Sequence, residues 1–139
     1  MKSELIAGRT HVDLRGALMY NNDFDASEVK RMYLIENKDK TIVRAWQGHK
    51  IEQRWFTAVL GVFRIQLIKI DNWEQPSKNL IVETYILNSD SLNVLHIPAG
   101  YVSSIQSISS ASKLLVLADY LLDDNNDEHH YEINYFSKS

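Results

Sequence analysis

The sequence predicts one all-β domain, built as an antiparallel sandwich or a closed barrel. Apolar residues alternate with a period of two rather than 3.6, which is typical of strands. Strand-like runs recur at short spacing and are separated by polar turn sequences. We find no long amphipathic helix pattern. A chain of 139 residues is long enough for a single domain with a sizeable core.

The clearest strand pattern is VFRIQLIKI, residues 62–70. It places Phe63, Ile65 and Leu67 on one face. The apolar face switches at Ile68, which predicts either a β-bulge or a strand that is buried on both sides.

Three later runs continue the pattern, at residues 79–87, 91–97 and 113–122. The first is rich in β-branched and aromatic residues, as strands are. The last, KLLVLADYLL, is rich in leucine and could be taken for a helix. In an otherwise all-β chain we interpret it as a buried strand.

Composition excludes several classes of partner and location. The net charge is −3 and no block of basic residues is present, which argues against nucleic-acid binding. No apolar run is long enough to span a membrane or to serve as a signal peptide, so we expect a cytoplasmic protein. Cysteine is absent, in keeping with a reducing compartment. The acidic run DDNNDE, residues 123–128, is interpreted as a solvated loop.

Four segments, in order along the chain, carry a family resemblance. They are DLRGAL (13–18), VKRMYLI (29–35), VRAWQGHKIEQRWF (43–56) and IPAGYVSSIQ (97–106). These resemble the D-x-R-G, K-R-x-Y, R-G-x-H-x-H-K and I-P-x-G-Y-x-x-G motifs of WxcM-like cupins. That family is related to the dTDP-4-keto-6-deoxyglucose 3,4-ketoisomerases and, more distantly, to the dTDP-4-dehydrorhamnose 3,5-epimerases.

The resemblance implies a cupin-type jelly-roll barrel, spanning residues 1–139 as one domain. It also implies a homodimer, no cofactor, and a sugar-nucleotide substrate in cell-surface polysaccharide synthesis. Metal-binding cupins need two histidines and a carboxylate on one strand and a further histidine on another. Here His49 is accompanied only by Glu52 or His96, so we expect no metal.

The central motif departs from the family pattern at one position that matters for chemistry. Gln47 stands where the first motif histidine is usual, and Ala45 replaces the motif glycine. Gln47 and His49 are two residues apart, so in a strand they share a face. Glutamine cannot take up a proton at neutral pH, whereas a neutral imidazole can. We therefore assign proton transfer to His49 and hydrogen bonding to the sugar to Gln47.

The resemblance implies two sets of site residues. The catalytic residues are His49 and Tyr33, and the substrate-binding residues are Arg44, Gln47, Lys50, Trp46, Glu52 and Tyr101. Arginine and lysine suit a diphosphate, and aromatic rings such as Trp46 or Trp55 can stack on a base or sugar. Strand parity puts Arg44 on the face opposite Gln47, unless a bulge near Trp46 turns it toward the pocket.

A second function is consistent with the same motifs. Because Gln47 replaces a histidine, the chain could be a non-catalytic cupin that binds a sugar nucleotide or a partner enzyme. A second ionisable group in the pocket would favour catalysis, since moving a proton in two steps calls for an acid and a base. His96, Glu52 and a tyrosine are the candidates in the sequence.

Overall fold

The computed structural model describes residues 1–137, which form twelve β-strands and no helix. None of these residues therefore belongs to a helix able to cross a membrane. The strands are β1 (Glu4–Ile6), β2 (Arg9–Asp13), β3 (Gly16–Tyr20), β4 (Arg31–Ile35), β5 (Val43–His49), β6 (Arg54–Leu60), β7 (Val62–Lys69), β8 (Val82–Asn88), β9 (Val94–Ile97), β10 (Tyr101–Ser107), β11 (Lys113–Ala118) and β12 (Glu128–His130). The all-β prediction is confirmed.

The strands pair into two five-stranded antiparallel sheets and a separate hairpin. The first sheet has the order β1-β9-β6-β11-β4, and the second has the order β12-β5-β10-β7-β8. Strands β2 and β3 form the hairpin. The leucine-rich run at 113–122 begins with strand β11, which lies between β6 and β4 in the first sheet, so its interpretation as a buried strand is confirmed over Lys113–Ala118.

The main core consists of residues from both sheets, as the period of two requires. It contains Phe56, Ala58, Phe63, Ile65, Leu67, Leu87, Leu95, Ile97, Tyr101, Ile105, Leu114 and Val116. A second cluster lies elsewhere and contains Trp46, Ile68, Ile70, Val102 and Phe136. Strand β7 contributes to both clusters and pairs with both neighbours without a register shift. The apolar switch at Ile68 thus marks a strand buried on both sides rather than a bulge.

A bulge does occur in β5, where it changes the face on which Arg44 lies. Gln47 pairs with Ser103 of β10, and Arg44 pairs with Ile105. Three steps along β5 therefore match two steps along β10, which puts one extra residue into β5. The alternation of faces is reset, so that Arg44 and Gln47 lie on the same side of the sheet. This is the geometry that a bulge near Trp46 was expected to produce.

The C-terminal segment returns to the sheet instead of ending as a polar tail. Strand β12 pairs with the free edge of β5 through Glu128, His129 and His130. Beyond it, Tyr131 exchanges two backbone hydrogen bonds with Trp46, with N···O distances of 3.1 and 2.9 Å. The interpretation of residues 123–128 as a solvated loop is therefore wrong for its last two residues, because Asp127 is buried and Glu128 begins β12. Local polarity gave no sign of a pairing partner so distant in the chain.

The D-x-R-G motif forms the turn of the β2–β3 hairpin. Asp13 accepts a hydrogen bond from the Arg15 guanidinium at 2.7 Å and from the Arg15 backbone N–H at 2.9 Å. The side-chain hydrogen bond from Arg15 lowers the pKa of Asp13. Gly16 has a φ of 131°, a backbone conformation that residues with a Cβ atom rarely adopt. The motif is structural here.

Candidate active site

The main cavity has a volume of about 690 Å³, within the usual range for a small-molecule site. Both sheets line it. Its walls come from β4, the Arg44–His49 part of β5, the start of β6, residues of β10, and the loop between Leu122 and Asp127 that precedes β12. A cavity whose walls are mostly strands has side chains that the sheet pairing holds in fixed positions.

Pairing on both sides of β5 creates a row of three side chains across the second sheet. His49 is paired with Tyr101 of β10 on one side and with Glu128 of β12 on the other. Residues directly opposite one another on antiparallel strands point to the same face. All three line the cavity. A phenol, an imidazole and a carboxylate are thus presented side by side.

A second row, parallel to the first, contains the residue that replaces the motif histidine. Gln47 is paired with Ser103 on one side and His130 on the other, and Gln47 and Ser103 line the cavity. The Gln47 side-chain amide donates a hydrogen bond to Oε1 of Glu128 in the neighbouring row. Oε2 of the same carboxylate lies 3.8 Å from Nε2 of His130. Gln47 is therefore a contact of Glu128.

His49 is held as a neutral imidazole by its surroundings. Burial, followed by the positive charge of Arg54, lowers the pKa of His49 from 6.5 to about 4, although the charges of Glu52 and Asp127 oppose this shift. Its Nδ1 atom is buried and has no hydrogen-bond partner among the residues described. A neutral imidazole can accept a proton at one nitrogen and donate one from the other.

An ion pair is buried beside His49. The Arg54 guanidinium donates a hydrogen bond to Oε1 of Glu52 at 2.8 Å, and both side chains are almost completely buried. Arg31 lies farther away, with 4.0 Å between its Nη2 and the same oxygen. Glu52 lines the cavity, yet its charge is already balanced within the protein. It therefore helps to set the field around His49 more than it offers a free carboxylate.

Asp127 anchors the turn that follows β5. Its carboxylate accepts hydrogen bonds from the backbone N–H groups of Lys50, Ile51 and Glu52 at 2.8 to 2.9 Å. Asp127 is only 3% exposed. Charge-assisted hydrogen bonds of this kind are about twice as strong as neutral ones. This carboxylate ties the C-terminal segment to the end of the strand that carries His49.

His49, Glu52 and Asp127 bring potential metal-ligand atoms within 4.8 Å of one another. One histidine nitrogen and two carboxylate oxygens can in principle hold a divalent cation. However, Glu52 is paired with Arg54, and Asp127 accepts three backbone hydrogen bonds. The arrangement is therefore a hydrogen-bonded network around His49 whose carboxylates already have protein partners.

Two further expected residues also line the cavity, Arg44 and Tyr33. Arg44 Nε donates to Oδ1 of Asn37 at 2.7 Å, so the side chain is oriented while its terminal nitrogens are left for a ligand. The Tyr33 ring lies beneath the Arg31 guanidinium, 5.3 Å from it. By contrast, the Tyr101 hydroxyl already accepts a hydrogen bond from the Ser3 backbone N–H at 3.2 Å.

Comparison with protein families identifies the chain. The family described as "FdtA: WxcM-like, C-terminal" matches residues 1–138. The chain belongs to this family. A search of curated protein sequences found no match.

Solved structures similar to this WxcM-like protein include sugar ketoisomerases and an epimerase. The WlaRB TDP-quinovose 3,4-ketoisomerase from Campylobacter jejuni is 25% identical, with 93% of each chain covered and a TM-score of 0.69. The sugar 3,4-ketoisomerase QdtA from Thermoanaerobacterium thermosaccharolyticum, solved with TDP, is 24% identical over 96% of this chain and 90% of QdtA, with a TM-score of 0.71. The RmlC epimerase from Mycobacterium tuberculosis is 13% identical over 92% of this chain and 68% of RmlC, with a TM-score of 0.74. The predicted cupin fold is confirmed.

Several residues expected at the substrate lie outside the cavity of this WxcM-like protein. Trp46 is buried in the second apolar cluster, with its indole N–H 3.3 Å from the carbonyl oxygen of Ile133. Lys50 is exposed and does not line the cavity. Trp55 stacks on His96 at 5.3 Å, and His96 Nε2 contacts Gln53 at 2.6 Å. Simple alternation explains Trp46, because it is next to Gln47 and therefore lies on the opposite face of β5.

The structure adds six charged residues that the sequence did not single out for the site. They are Arg31, Glu36, Arg54, Asp123, Asp127 and Glu128. Arg31 and Arg54 lie within quoted motif segments, and Arg31 is two residues before Tyr33, so strand parity could have found it. Asp127 and Glu128 belong to the acidic run, and no local signal shows that this run returns to β5.

Proposed function

We propose that this protein is a sugar-nucleotide isomerase or epimerase. Its substrate in this proposal is a nucleotide-linked 4-keto-6-deoxy sugar, and the reaction begins with removal of a proton from the carbon next to the ketone. The supporting observation is that His49, Tyr33, Gln47 and Arg44 line one cavity of a WxcM-like cupin. Its structural neighbours include a 3,4-ketoisomerase solved with TDP-4-keto-6-deoxyglucose and a 4-keto-6-deoxy sugar epimerase.

The proposed chemistry needs proton movement and charge stabilisation. Breaking the C–H bond beside the ketone moves its electron pair into a new carbon–carbon double bond, and the ketone oxygen becomes an oxyanion. In the ketoisomerase variant of the reaction, protonation of that oxygen gives an enediol. The neighbouring hydroxyl then becomes the new ketone as the former carbonyl carbon takes up a proton. No oxidant or reductant is consumed.

The residues of the cavity divide these tasks. His49 transfers protons, since it is neutral and can accept a proton as well as donate one. Tyr33 donates to the developing oxyanion, a task for which it suits better than Tyr101, whose hydroxyl lies against the backbone N–H of Ser3, a residue outside the cavity. Arg44, together with Arg31, holds the phosphates. The carboxylates of the cavity repel a diphosphate because both carry negative charge. In this proposal the affinity for the sugar nucleotide therefore depends on these two arginines.

A proton NMR experiment in deuterated water tests the proposal. The purified protein is incubated with a 4-keto-6-deoxyglucose nucleotide, and the C3 and C5 proton signals are followed. We expect one of these signals to be lost and new sugar resonances to appear, with deuterium at C4 for a ketoisomerase and at C3 or C5 for an epimerase. A substrate that binds, shown by line broadening, but exchanges no proton over hours would contradict catalysis.

That contrary result would favour the second candidate, a non-catalytic binding module. The observation in its favour is Gln47, which occupies the position of the first motif histidine. Its amide is hydrogen-bonded to Glu128 and cannot itself take up a proton. In that case the cavity would bind a sugar nucleotide, or the protein would bind a partner enzyme, without turnover.

We also propose that the protein works as a homodimer in cell-surface polysaccharide synthesis in the cytoplasm. The dimer is supported by apolar side chains on the β2–β3 hairpin that are exposed in one copy. Val12 is 71% exposed and Leu18 is 61% exposed. Strand β4 is also an open edge of the first sheet. Open edges and apolar patches of this kind are usually covered in soluble proteins.

A further inference from the structure

Isomerisation moves protons at both carbon and oxygen, and His49 is only one of the groups needed. The motif position that would supply a second histidine carries Gln47. His96, which the sequence offered as a substitute, contacts Gln53 and Trp55 and does not line the cavity. Tyr33 lines the cavity but is assigned to the oxyanion, so a group that takes the carbon-bound proton must come from another part of the chain.

Strand β12 brings such a group to the cavity. Glu128 is directly opposite His49 in the pairing of β12 with β5, and both side chains line the cavity. The Gln47 amide donates to Oε1 of Glu128, so the residue that replaced the histidine now holds a carboxylate. Oε2 of Glu128 lies 3.8 Å from His130 Nε2. The carboxylate is thus oriented from two sides.

The other carboxylates near His49 are less suited to accept a proton. Glu52 is buried in an ion pair with Arg54. Asp127 accepts three backbone hydrogen bonds and is nearly fully buried. Protonating either would disrupt these strong charge-assisted contacts. Glu128 is exposed on the cavity side, and its amide contact from Gln47 survives when the carboxylate takes up a proton on the other oxygen.

We propose that Glu128 is the catalytic residue that moves the carbon-bound proton, in place of the missing motif histidine. This inference rests on the proposed isomerase function. The Glu128 carboxylate takes the proton as the C–H bond breaks. Because Glu128 is exposed, the resulting carboxylic acid exchanges this proton with solvent and then protonates the neighbouring carbon. His49 exchanges protons at the two oxygens and ends the cycle neutral. Gln47 is a positioning residue that fixes the carboxylate, and the ligand is the 4-keto sugar itself.

The first test compares Glu128→Gln with Glu132→Gln. The first variant keeps an oxygen that accepts the Gln47 hydrogen bond but cannot take up a proton, and the second changes an exposed glutamate just beyond β12. With a 4-keto-6-deoxyglucose nucleotide in deuterated water, we expect Glu128→Gln to slow exchange at carbon about 10²- to 10⁴-fold. The dissociation constant of Glu128→Gln for TDP should stay within about threefold of wild type. For Glu132→Gln, the exchange rate and the dissociation constant should both stay within about threefold.

The second test restores the motif histidine. In a Gln47→His background the new imidazole can accept the carbon-bound proton. Adding Glu128→Gln to this background should then lower the rate of exchange at carbon by less than about tenfold. An equal loss in both backgrounds would mean that Glu128 only supports the strand, and would overturn the assignment. Exchange by wild type that Glu128→Gln leaves unchanged would overturn it as well, while leaving the proposed isomerase standing. Absence of exchange in wild type would overturn both.

Discussion

At the scale of single residues, the state of His49 controls what the site can do. Burial and the charge of Arg54 lower its pKa to about 4, so the imidazole is neutral across the physiological range. A neutral imidazole still carries one N–H group, which can donate a hydrogen bond to a developing oxyanion. The same low pKa makes His49 a weak proton acceptor.

The pKa of His49 predicts a pH dependence of stability. Between about pH 4 and 6.5 the unfolded chain binds a proton at His49 that the folded protein does not. The free energy of unfolding therefore falls as the pH is lowered through this window, by at most about 3 kcal/mol. Urea denaturation at several pH values should show a steeper acid loss for wild type than for His49→Gln. Parallel curves would contradict the burial of a neutral histidine.

The proposed role of His49 predicts a loss of activity on substitution. His49→Gln keeps the size and hydrogen bonding of the side chain but cannot transfer a proton, so turnover should fall about 10²- to 10⁴-fold. The assay is formation of the isomerised sugar, with Ile81→Gln, a change at an exposed position outside the cavity, as the control. A His49→Gln protein with full turnover would exclude His49 from the chemistry.

At the scale of elements, β5 is shaped by close contact with its neighbour β10. A Cβ atom built at Gly48 would lie 2.0 Å from the carbonyl oxygen of Tyr101 and 2.6 Å from the Cα of Val102. Real side chains never approach backbone atoms so closely. The glycine between Gln47 and His49 therefore lets the two strands pair where both functional side chains face the cavity.

This contact predicts the effect of Gly48→Ala. The added methyl group must push β5 and β10 apart, which should cost about 1–3 kcal/mol in the free energy of unfolding. Denaturant unfolding measures the loss, and it should be accompanied by weaker binding of TDP. Ala45→Gly, which removes a methyl group from the same strand, serves as a comparison. Unchanged stability of Gly48→Ala would contradict the close approach of the strands.

The hydrogen bonds of Asp127 predict that this residue stabilises the attachment of the C-terminal segment to the end of β5. Asp127→Ala removes the acceptor of three backbone N–H groups, and we expect a loss of about 3 kcal/mol. Hydrogen exchange should become faster at residues 50–52 and along β12. Asp124→Ala, at an exposed position of the same loop, is the matched control and should be nearly neutral. Equal effects of the two variants would contradict the anchoring role.

At the scale of the whole molecule, the exposed hairpin and the open edge of β4 predict association. We expect a dimer by light scattering coupled to size-exclusion chromatography. Leu18→Glu places a charge on the exposed hairpin and should shift the protein toward monomer. The control is Ile81→Glu, at a position that is 83% exposed and away from the hairpin. A wild-type monomer at high concentration would contradict the homodimer.

Much of the fold could be predicted because the alternation of apolar and polar residues indicates the strands. The alternation at Phe63, Ile65 and Leu67 reflects which side chains must leave water, and those residues are completely buried. Site prediction was less complete. His49, Gln47 and Arg44 do line the cavity, whereas Trp46 and Lys50 do not. Trp46 is next to Gln47, so strand parity alone turns it away from the cavity, and Lys50 lies beyond the end of β5. Only Arg44 depends on the bulge, which forms against the partner strand β10.

The sequence by itself determined the all-β class, the cupin family and the strand that carries His49. Short-range alternation and ordered motifs are properties of neighbouring residues, so they can be read without coordinates. Only the tertiary structure decided that Glu128 lies opposite His49 and that Gln47 holds it, across 81 positions of the chain. Pairing between strands so far apart depends on which sheet edge is left open in the folded protein, and no local pattern encodes that.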